Sequence, residues 1–196
     1  MLRLLIASNN KHKIKEIKDI FSDCSFEMLS PFDLNIDIEV EENGTSYHEN
    51  ALLKAQTYHD LSKFAVIADD SGLEISSLDN KPGIYSARFL PQALNYQEKN
   101  NLIIAMLQDS LDRTAKFVSV VALIEPKKEA KFFQGEITGT IAYKQKGGNG
   151  FGYDPIFLLA SGKTMAELDE KDKNSISHRA IAFNKVKEYL RKEYEN

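Results

Sequence analysis

Apolar residues follow two alternating rhythms along this chain. Leu2 to Ser8 is an apolar run that ends in polar turn residues, the pattern of a buried central strand. Asn10 to Asp23 then sets Ile14, Ile17, Ile20 and Phe21 at helical spacing, with lysines on the opposite face. A strand that passes this quickly into a helix opens an α/β fold. Ile36, Ile38 and Val40 alternate with Asp37 and Glu39, which predicts a half-buried strand. Ser46-Tyr47-His48-Glu49 has capping-box spacing and predicts a helix to about Ser62, with Ala51, Leu52, Ala55, Tyr58 and His59 inward. Phe64 to Ala68 reads as another buried strand. Asn95 to Leu111 reads as a helix centred on Leu102, Ile103, Met106 and Leu107. Phe117 to Ile124 and Ala130 to Tyr143 read as long strands joined by a turn at Pro126-Lys127-Lys128-Glu129. Ile156 to Leu159 is short and apolar, and a final helix runs from about Ser177 with Ile181, Phe183, Val186 and Leu190 inward.

Length and composition narrow this picture. The chain has 196 residues, 42% hydrophobic and 28% charged, enough for one domain, or two lobes sharing a core, with a sizeable interior, and too apolar for wholesale disorder. No repeat and no Pro/Gly/Ser linker divides it, so residues 1–196 read as a single domain. The 25 lysines and arginines against 29 acids give a net charge of −4, which argues against a nucleic-acid backbone as main partner. A small phosphorylated ligand needs only local cations. No apolar stretch approaches the roughly 18 residues of a membrane span, and Met1 to Ala7 is too short for a signal peptide. The single cysteine, Cys24, permits no intrachain disulfide and fits a reducing, cytoplasmic setting.

Five polar segments lie where strands end or helices begin, the usual place for ligands in open α/β sheets. Ser8-Asn9-Asn10-Lys11-His12-Lys13 opens the first helix, where free amides attract phosphate; taken alone, it fits an N-cap with solvated lysines better. Glu41-Glu42-Asn43-Gly44 precedes the second helix, and Lys54 lies two turns into that helix. Asp69-Asp70-Ser71-Gly72 directly follows a buried strand. Its carboxylates require hydrogen bonds or a cation, and neighbours on an extended backbone point opposite ways, so one could face a metal while the other anchors a turn. Magnesium is typically held by one or two carboxylates plus phosphate oxygens and water. The loop from Gly147 to Pro155 interleaves glycines with Phe151 and Tyr153, which could stack on a base or pack inward. Finally, Lys173, His178 and Arg179 gather at the start of the last helix, where cations are disfavoured, which suggests a bound anion or polar ligand. Arginine can give paired hydrogen bonds to O6 and N7 of a 6-oxopurine. Together these describe a metal-dependent nucleotide site.

The ordered set resembles the inosine triphosphate pyrophosphatase family over nearly the whole chain. Ser8 to Lys13 with Glu16 is similar to its phosphate motif, although relatives more often have glycine at the position of Asn9 and before the final lysine, where this chain has His12. Glu41 to Gly44, Glu49-Asn50-Ala51 and Lys54-Ala55 resemble its acidic loop and helix. Asp69-Asp70-Ser71-Gly72-Leu73, Pro82 to Phe89, Phe151-Gly152-Tyr153-Asp154-Pro155 and Ser177-His178-Arg179 resemble its remaining blocks. The resemblance implies an elongated mixed β-sheet flanked by helices, two lobes around a central cleft, and usually a homodimer. It implies Asp70 as proton acceptor and magnesium ligand, with Glu41 as the other ligand. Ser8, Asn9, Asn10, Lys11, His12, Lys13, Ser71 and Lys173 would contact the nucleotide, and Phe151, Gly152, Tyr153, Asp154, His178 and Arg179 would hold the base. The implied reaction is hydrolysis of ITP, dITP or XTP to the monophosphate and pyrophosphate. The alternatives are a Maf-type nucleotide pyrophosphatase and a non-catalytic nucleotide sensor.

Overall fold

The structure is a computed structural model that describes residues 2–195. In chain order its regular elements are β1 (Arg3–Ile6), α1 (Lys11–Ile20), β2 (Glu27–Leu29), α2 (Tyr47–Ser62), β3 (Ala65–Ile75), β4 (Lys81–Pro82), α3 (Tyr96–Met106), β5 (Thr114–Ile124), β6 (Lys131–Ile141), β7 (Phe157–Leu158), α4 (Glu170–Ile176) and α5 (His178–Tyr194). One sheet is ordered β2-β1-β3-β5-β6-β7, with β4 also on β3. It is mixed: β1 runs parallel to β2 and β3, while β4 on β3 and β7 on β6 are antiparallel. This is the α/β class expected from the strand-to-helix opening.

The chain forms two compact units, and their boundary falls inside β3, β5 and β6. The first unit holds the chain up to Asp70, Ser119–Gly135 and everything from Arg179; the second holds Ser71–Val118 and Glu136–His178. In the first unit, strand alternation sorts side chains into two apolar layers. Leu4, Ile6, Ala65, Ile67, Val121 and Leu123 pack with Ile14 and Ile17 of α1 and with Phe183, Val186 and Leu190 of α5. Leu5, Ala7, Val66, Ala68, Ala122 and Ile124 pack with Ala51, Ala55 and Tyr58 of α2. Burial on both faces explains why these strands read as continuous apolar runs. The second unit has its own core, in which Leu73, Ile75, Phe117, Ile141 and Phe157 meet Ile103, Leu107, Tyr153 and Met165.

Several expectations need correcting. Ile36, Ile38 and Val40 do pack against the α2-side layer, but they form no strand. β2 already occupies the edge of β1, and the Ile38 carbonyl accepts instead from Asn9 Nδ2 at 2.8 Å. The strand expected to stop at Ala68 runs on to Ile75. On α3 the inward stripe is Lys99, Asn100, Ile103 and Leu107, so Leu102 and Met106 face outward at 40% and 49% exposure. The last helix starts at His178, next to its expected start, and a separate short helix, α4, precedes it because the chain turns extended at Ser177. Ser46 caps α2 by accepting from the Glu49 amide, but the Glu49 carboxylate reaches one residue further back than a capping box requires, to the amide and hydroxyl of Thr45.

Behind the sheet of the first unit, α5 is anchored by buried Glu125. Its carboxylate accepts from Tyr189 Oη at 2.9 Å, from Lys128 Nζ at 3.0 Å and from the Tyr194 hydroxyl. Burial pushes this carboxyl up, but the three donors outweigh it and hold it below its ordinary value. Stability from a depressed carboxyl is present above its unfolded pKa and lost as pH falls through its folded one. Glu125→Gln should therefore cost about 1–3 kcal/mol near neutral pH, a melting-point fall of a few degrees. The difference from the parent protein should shrink steadily in melts taken below about pH 4. A pH-independent difference would rule out the ionised anchor.

Candidate active site

β3 carries Asp69 and Asp70 side by side in the middle of a strand, where their side chains must leave by opposite faces. Both are buried. On one face, Asp69 accepts from Lys13 Nζ of α1 at 3.0 and 3.2 Å and from Arg179 Nε of α5 at 3.3 Å. Arg179 Nη1 also donates to Glu16 Oε2 at 2.7 Å. Burial alone would raise the Asp69 carboxyl, but Lys13, Arg179 and Lys54 overcome it and hold it well below the usual carboxylate range.

On the other face, Asn50 Nδ2 of α2 donates to Asp70 Oδ2 at 3.0 Å, and Lys54 Nζ lies 3.8 Å from Asp70 Oδ1. Asn50 Oδ1 in turn accepts from the Gly44 amide at 2.8 Å, which ties the acidic loop to the same helix. Lys54 is ion-paired to Glu42. Here burial prevails. It raises the Asp70 carboxyl against the pull of Lys54, and the Glu42 charge pushes the same way. Asp70 is thus a desolvated carboxylate beside Lys54, with the Lys13 charge also acting on it and an acid nearby, an arrangement that a further cation would relieve. No three His, Cys, Asp or Glu side chains converge to hold a metal among the described residues. A cation at Asp70 would need donors from outside the protein, which fits the habit of magnesium of keeping phosphate oxygens and water.

The opening of α1 is built from its own side chains. Ser8 Oγ accepts from the Asn10 amide at 3.2 Å, and Asn10 Oδ1 accepts from the amides of His12 and Lys13 at 3.0 and 3.3 Å, so Asn10 is the N-cap. Asn9 donates to Ile38 and accepts from the Tyr58 hydroxyl at 3.2 Å. Lys11 and His12 are exposed, Lys11 with its ammonium 5.8 Å from the Phe32 ring centre.

In the second unit, Asp154 is the meeting point of Lys173 and the Phe151 loop. Its Oδ2 accepts from Lys173 Nζ at 2.7 Å and from the Phe151 amide at 2.8 Å. The Lys173 ammonium also lies 4.7 Å from the Phe151 ring centre, a cation–π contact. Gly150 takes φ +74°, and a Cβ there would stand 2.1 Å from Asp154 Oδ2, so the turn requires glycine. Tyr153 belongs to the core. Its hydroxyl donates to the Ser86 carbonyl at 2.8 Å, and its ring meets Tyr96 edge-on. Of the two loop aromatics, then, Phe151 is the half-buried one. His178 is buried and stacked on Phe117 at 4.7 Å. Ser71 follows Asp70 in β3 and is half-buried.

In the first unit, Lys13 and Arg179 meet at Asp69, and Lys54 lies beside Asp70 on the opposite face of β3. Glu41 is exposed, and the neighbouring Glu42 is the acid whose charge reaches Asp70. Lys173 sits in α4, a separate helix from the one that carries His178 and Arg179. The cations at the start of α5 were read as a sign of a bound anion, but the anions that meet Arg179 are the carboxylates of Glu16 and Asp69. Sequence reading passed over Asn50, Glu16 and Glu42 as site residues. One signal was present: Asn50 and Lys54 share a helix face at i,i+4, and Lys13 and Glu16 share one at i,i+3.

A model of the Ham1 family matches residues 4–189. A dITP/XTP pyrophosphatase of Oceanobacillus iheyensis is 44% identical over 194 residues, covering 97% of this chain and 98% of its own. The Staphylococcus aureus Ham1 protein superposes with a TM-score of 0.87 at 41% identity, covering 97% of this chain and 99% of its own. A HAM1 protein from Coxiella burnetii gives 0.90 at 34% identity, covering 98% and 100%.

Removing the charge of Asp69 would leave Lys13 and Arg179 crowded together without their shared anion. Asp69→Asn should lose about 3 kcal/mol in urea unfolding. Glu16→Gln, whose carboxylate is less buried, should lose less than half as much. Equal losses would show that Arg179, and not Asp69, is the centre of the cluster.

Proposed function

Because the chain belongs to the Ham1 family, we propose that it is a nucleoside triphosphate pyrophosphatase that hydrolyses the non-standard purine nucleotides ITP, dITP and XTP. Water attacks the α-phosphorus, the bond from that phosphorus to the oxygen bridging to the β-phosphate breaks, and nucleoside monophosphate and pyrophosphate leave. The observation that carries this reading is Asp70, a buried carboxylate oriented by Asn50 beside Lys54 on the strand whose other face locks Lys13 and Arg179. A pure sensor has no need of such a carboxylate, and the family match speaks against the Maf-type alternative.

Asp70 takes the proton of the attacking water. Asn50 fixes its Oδ2 and so sets the direction of the carboxylate. Lys13, Lys54 and the amides at the start of α1, reached through Ser8, Asn9, Asn10, Lys11 and His12, offset the triphosphate charge. Ser71 and Lys173 contribute further polar contacts. Phe151, Gly152, Tyr153, Asp154, His178 and Arg179 select the base, Phe151 by its ring and Arg179 by donation to the 6-oxo edge. Asp70 and Glu41 are the residues that would hold magnesium, whose chemistry when bound is to polarise the phosphate. The net charge of −4 supports free nucleotides as the ligand class, without a nucleic-acid or membrane partner, and the cytoplasm is where such nucleotides are drawn from.

The test is pyrophosphate release measured across ITP, dITP, XTP, GTP and ATP, with and without magnesium. Release from the first three that needs the metal is expected, and Asp70→Asn should lose at least about a hundredfold in kcat. Turnover near the parent rate in that variant would remove Asp70 from the role. We also propose a homodimer. It is supported by the apolar surface that Leu102, Met106 and Leu111 leave exposed, at 40%, 49% and 103%. Light scattering should give twice the chain mass of 22.2 kDa, and Leu102→Glu with Met106→Glu should halve it.

A further inference from the structure

Asn100 lies on the inward stripe of α3 and is 1% exposed, a position that its neighbours Ile103 and Leu107 fill with apolar side chains. Its Nδ2 donates to the carbonyl of Gly152 at 3.1 Å and to Gln145 Oε1 at 3.3 Å. Its Oδ1 is buried with no hydrogen-bond partner among the described residues. A buried acceptor left unpaired is costly, and an apolar residue of similar shape would avoid that cost. The amide is therefore retained for its donor. Turning it over would set Oδ1 against two acceptors, so its orientation is fixed by its partners.

What the donor holds is the middle of the segment assigned to the base. Gly152 takes φ +67°, which leaves its peptide dependent on outside contacts for its direction. On one side of it, Phe151 donates to Asp154 through its amide; on the other, Tyr153 is pinned through its hydroxyl to Ser86. Among the described residues, the Gly152 carbonyl is held from α3. Gln145 braces the holder, since its Nε2 donates to the Gln97 carbonyl at 2.9 Å and to Asn101 Oδ1 at 2.8 Å. The C-terminal end of α3 is fixed as well, because buried Arg113 donates to the Leu107 carbonyl at 2.6 Å and to the carbonyls of Ile141 and Ala142. Tyr96, at the start of the helix, packs edge-on against Tyr153 with ring centres 5.6 Å apart.

We propose that Asn100 is a positioning residue for base selection: by holding the Gly152 carbonyl from α3, it sets the angle at which Phe151 and Asp154 meet the purine. It touches no reacting atom, so its loss acts on binding of the base and spares both the chemistry and the phosphate end. This rests on the reading of 151–154 as the base-holding segment of a purine triphosphate pyrophosphatase.

The experiment compares the unaltered enzyme with Asn100→Leu and Gln145→Leu, using ITP as substrate and inorganic tripolyphosphate as a competitor that has no base. Asn100→Leu should raise KM for ITP about tenfold, the equivalent of one lost hydrogen bond, with kcat within about twofold. The inhibition constant of tripolyphosphate should stay where it was. Gln145 is only half-buried, and Gln145→Leu should raise KM about threefold while leaving the fold intact, so it carries the test if Asn100→Leu does not fold. A parallel loss of tripolyphosphate affinity, a fall in kcat without a rise in KM, or an unchanged KM in Gln145→Leu would overturn the role. If the unaltered enzyme does not hydrolyse ITP or XTP at all, the underlying function fails and this role with it. Hydrolysis with unshifted KM removes this role alone.

Discussion

The ion pair between Asp69 and Lys13, closed by Arg179, is the contact from which the rest of the first unit can be reasoned. Three elements meet there: α1 supplies Lys13, β3 supplies Asp69 and α5 supplies Arg179. Each group is expensive to bury alone, so none of the three elements can shift without exposing or stranding a charge. Asp69 is next to Asp70 in an extended strand. Once Asp69 is committed to the α1–α5 face, Asp70 is committed to the α2 face. The direction in which the proposed proton acceptor points is therefore set by an ion pair in which it takes no part.

The alternation that sorts the two apolar layers of this unit also sorts its carboxylates, and this was partly legible in the sequence. The opposite headings of Asp69 and Asp70 follow from any extended backbone. The caps at Asn10 and Ser46 were readable from spacing, because a cap is satisfied within three residues. The continuation of β3 through Asp69-Asp70-Ser71-Gly72 was not readable. Locally those four residues are turn formers. Asp69 is met there by partners 56 and 110 positions away in the chain, and Asp70 by Asn50, 20 positions away. Sequence separation of that kind leaves no local trace. Ile36, Ile38 and Val40 show the converse case, in which alternation correctly marked burial while strand pairing depended on an edge that β2 had already taken.

The second unit divides in the same way. The glycines before Phe151 announced a tight loop, and Gly150 is indeed tolerated only without a Cβ against Asp154. Which aromatic would be buried could not be read from the loop itself. Tyr153 is drawn into the core by the Ser86 carbonyl and the Tyr96 ring, both supplied from elsewhere in the chain. Similarly, Lys173 looked like part of one cationic helix start with Arg179. The extended backbone at Ser177 separates the two, and each lysine or arginine finds its own acid.

That pairing bears on how a chain of net charge −4 could serve a polyanion. The cations proposed for the nucleotide are not held as bare charges. Lys13 is met by Asp69, Lys54 by Glu42, Lys173 by Asp154 and Arg179 by Glu16. Without those acids, Lys13, Lys54 and Arg179 of the first unit would resist assembly. Burial already pulls the Lys13 ammonium below its ordinary pKa, and the charges of Arg179 and Lys54 pull it further, with Asp69 as the main opposing influence. The internal carboxylates thus do for the unliganded protein what phosphate would do in a complex: they hold lysine and arginine in place in a desolvated setting. A triphosphate arriving there meets cations whose positions are already fixed, so the cost of gathering them has been met in folding and not in binding. Each cation proposed for the nucleotide is thus balanced by a carboxylate of the protein itself.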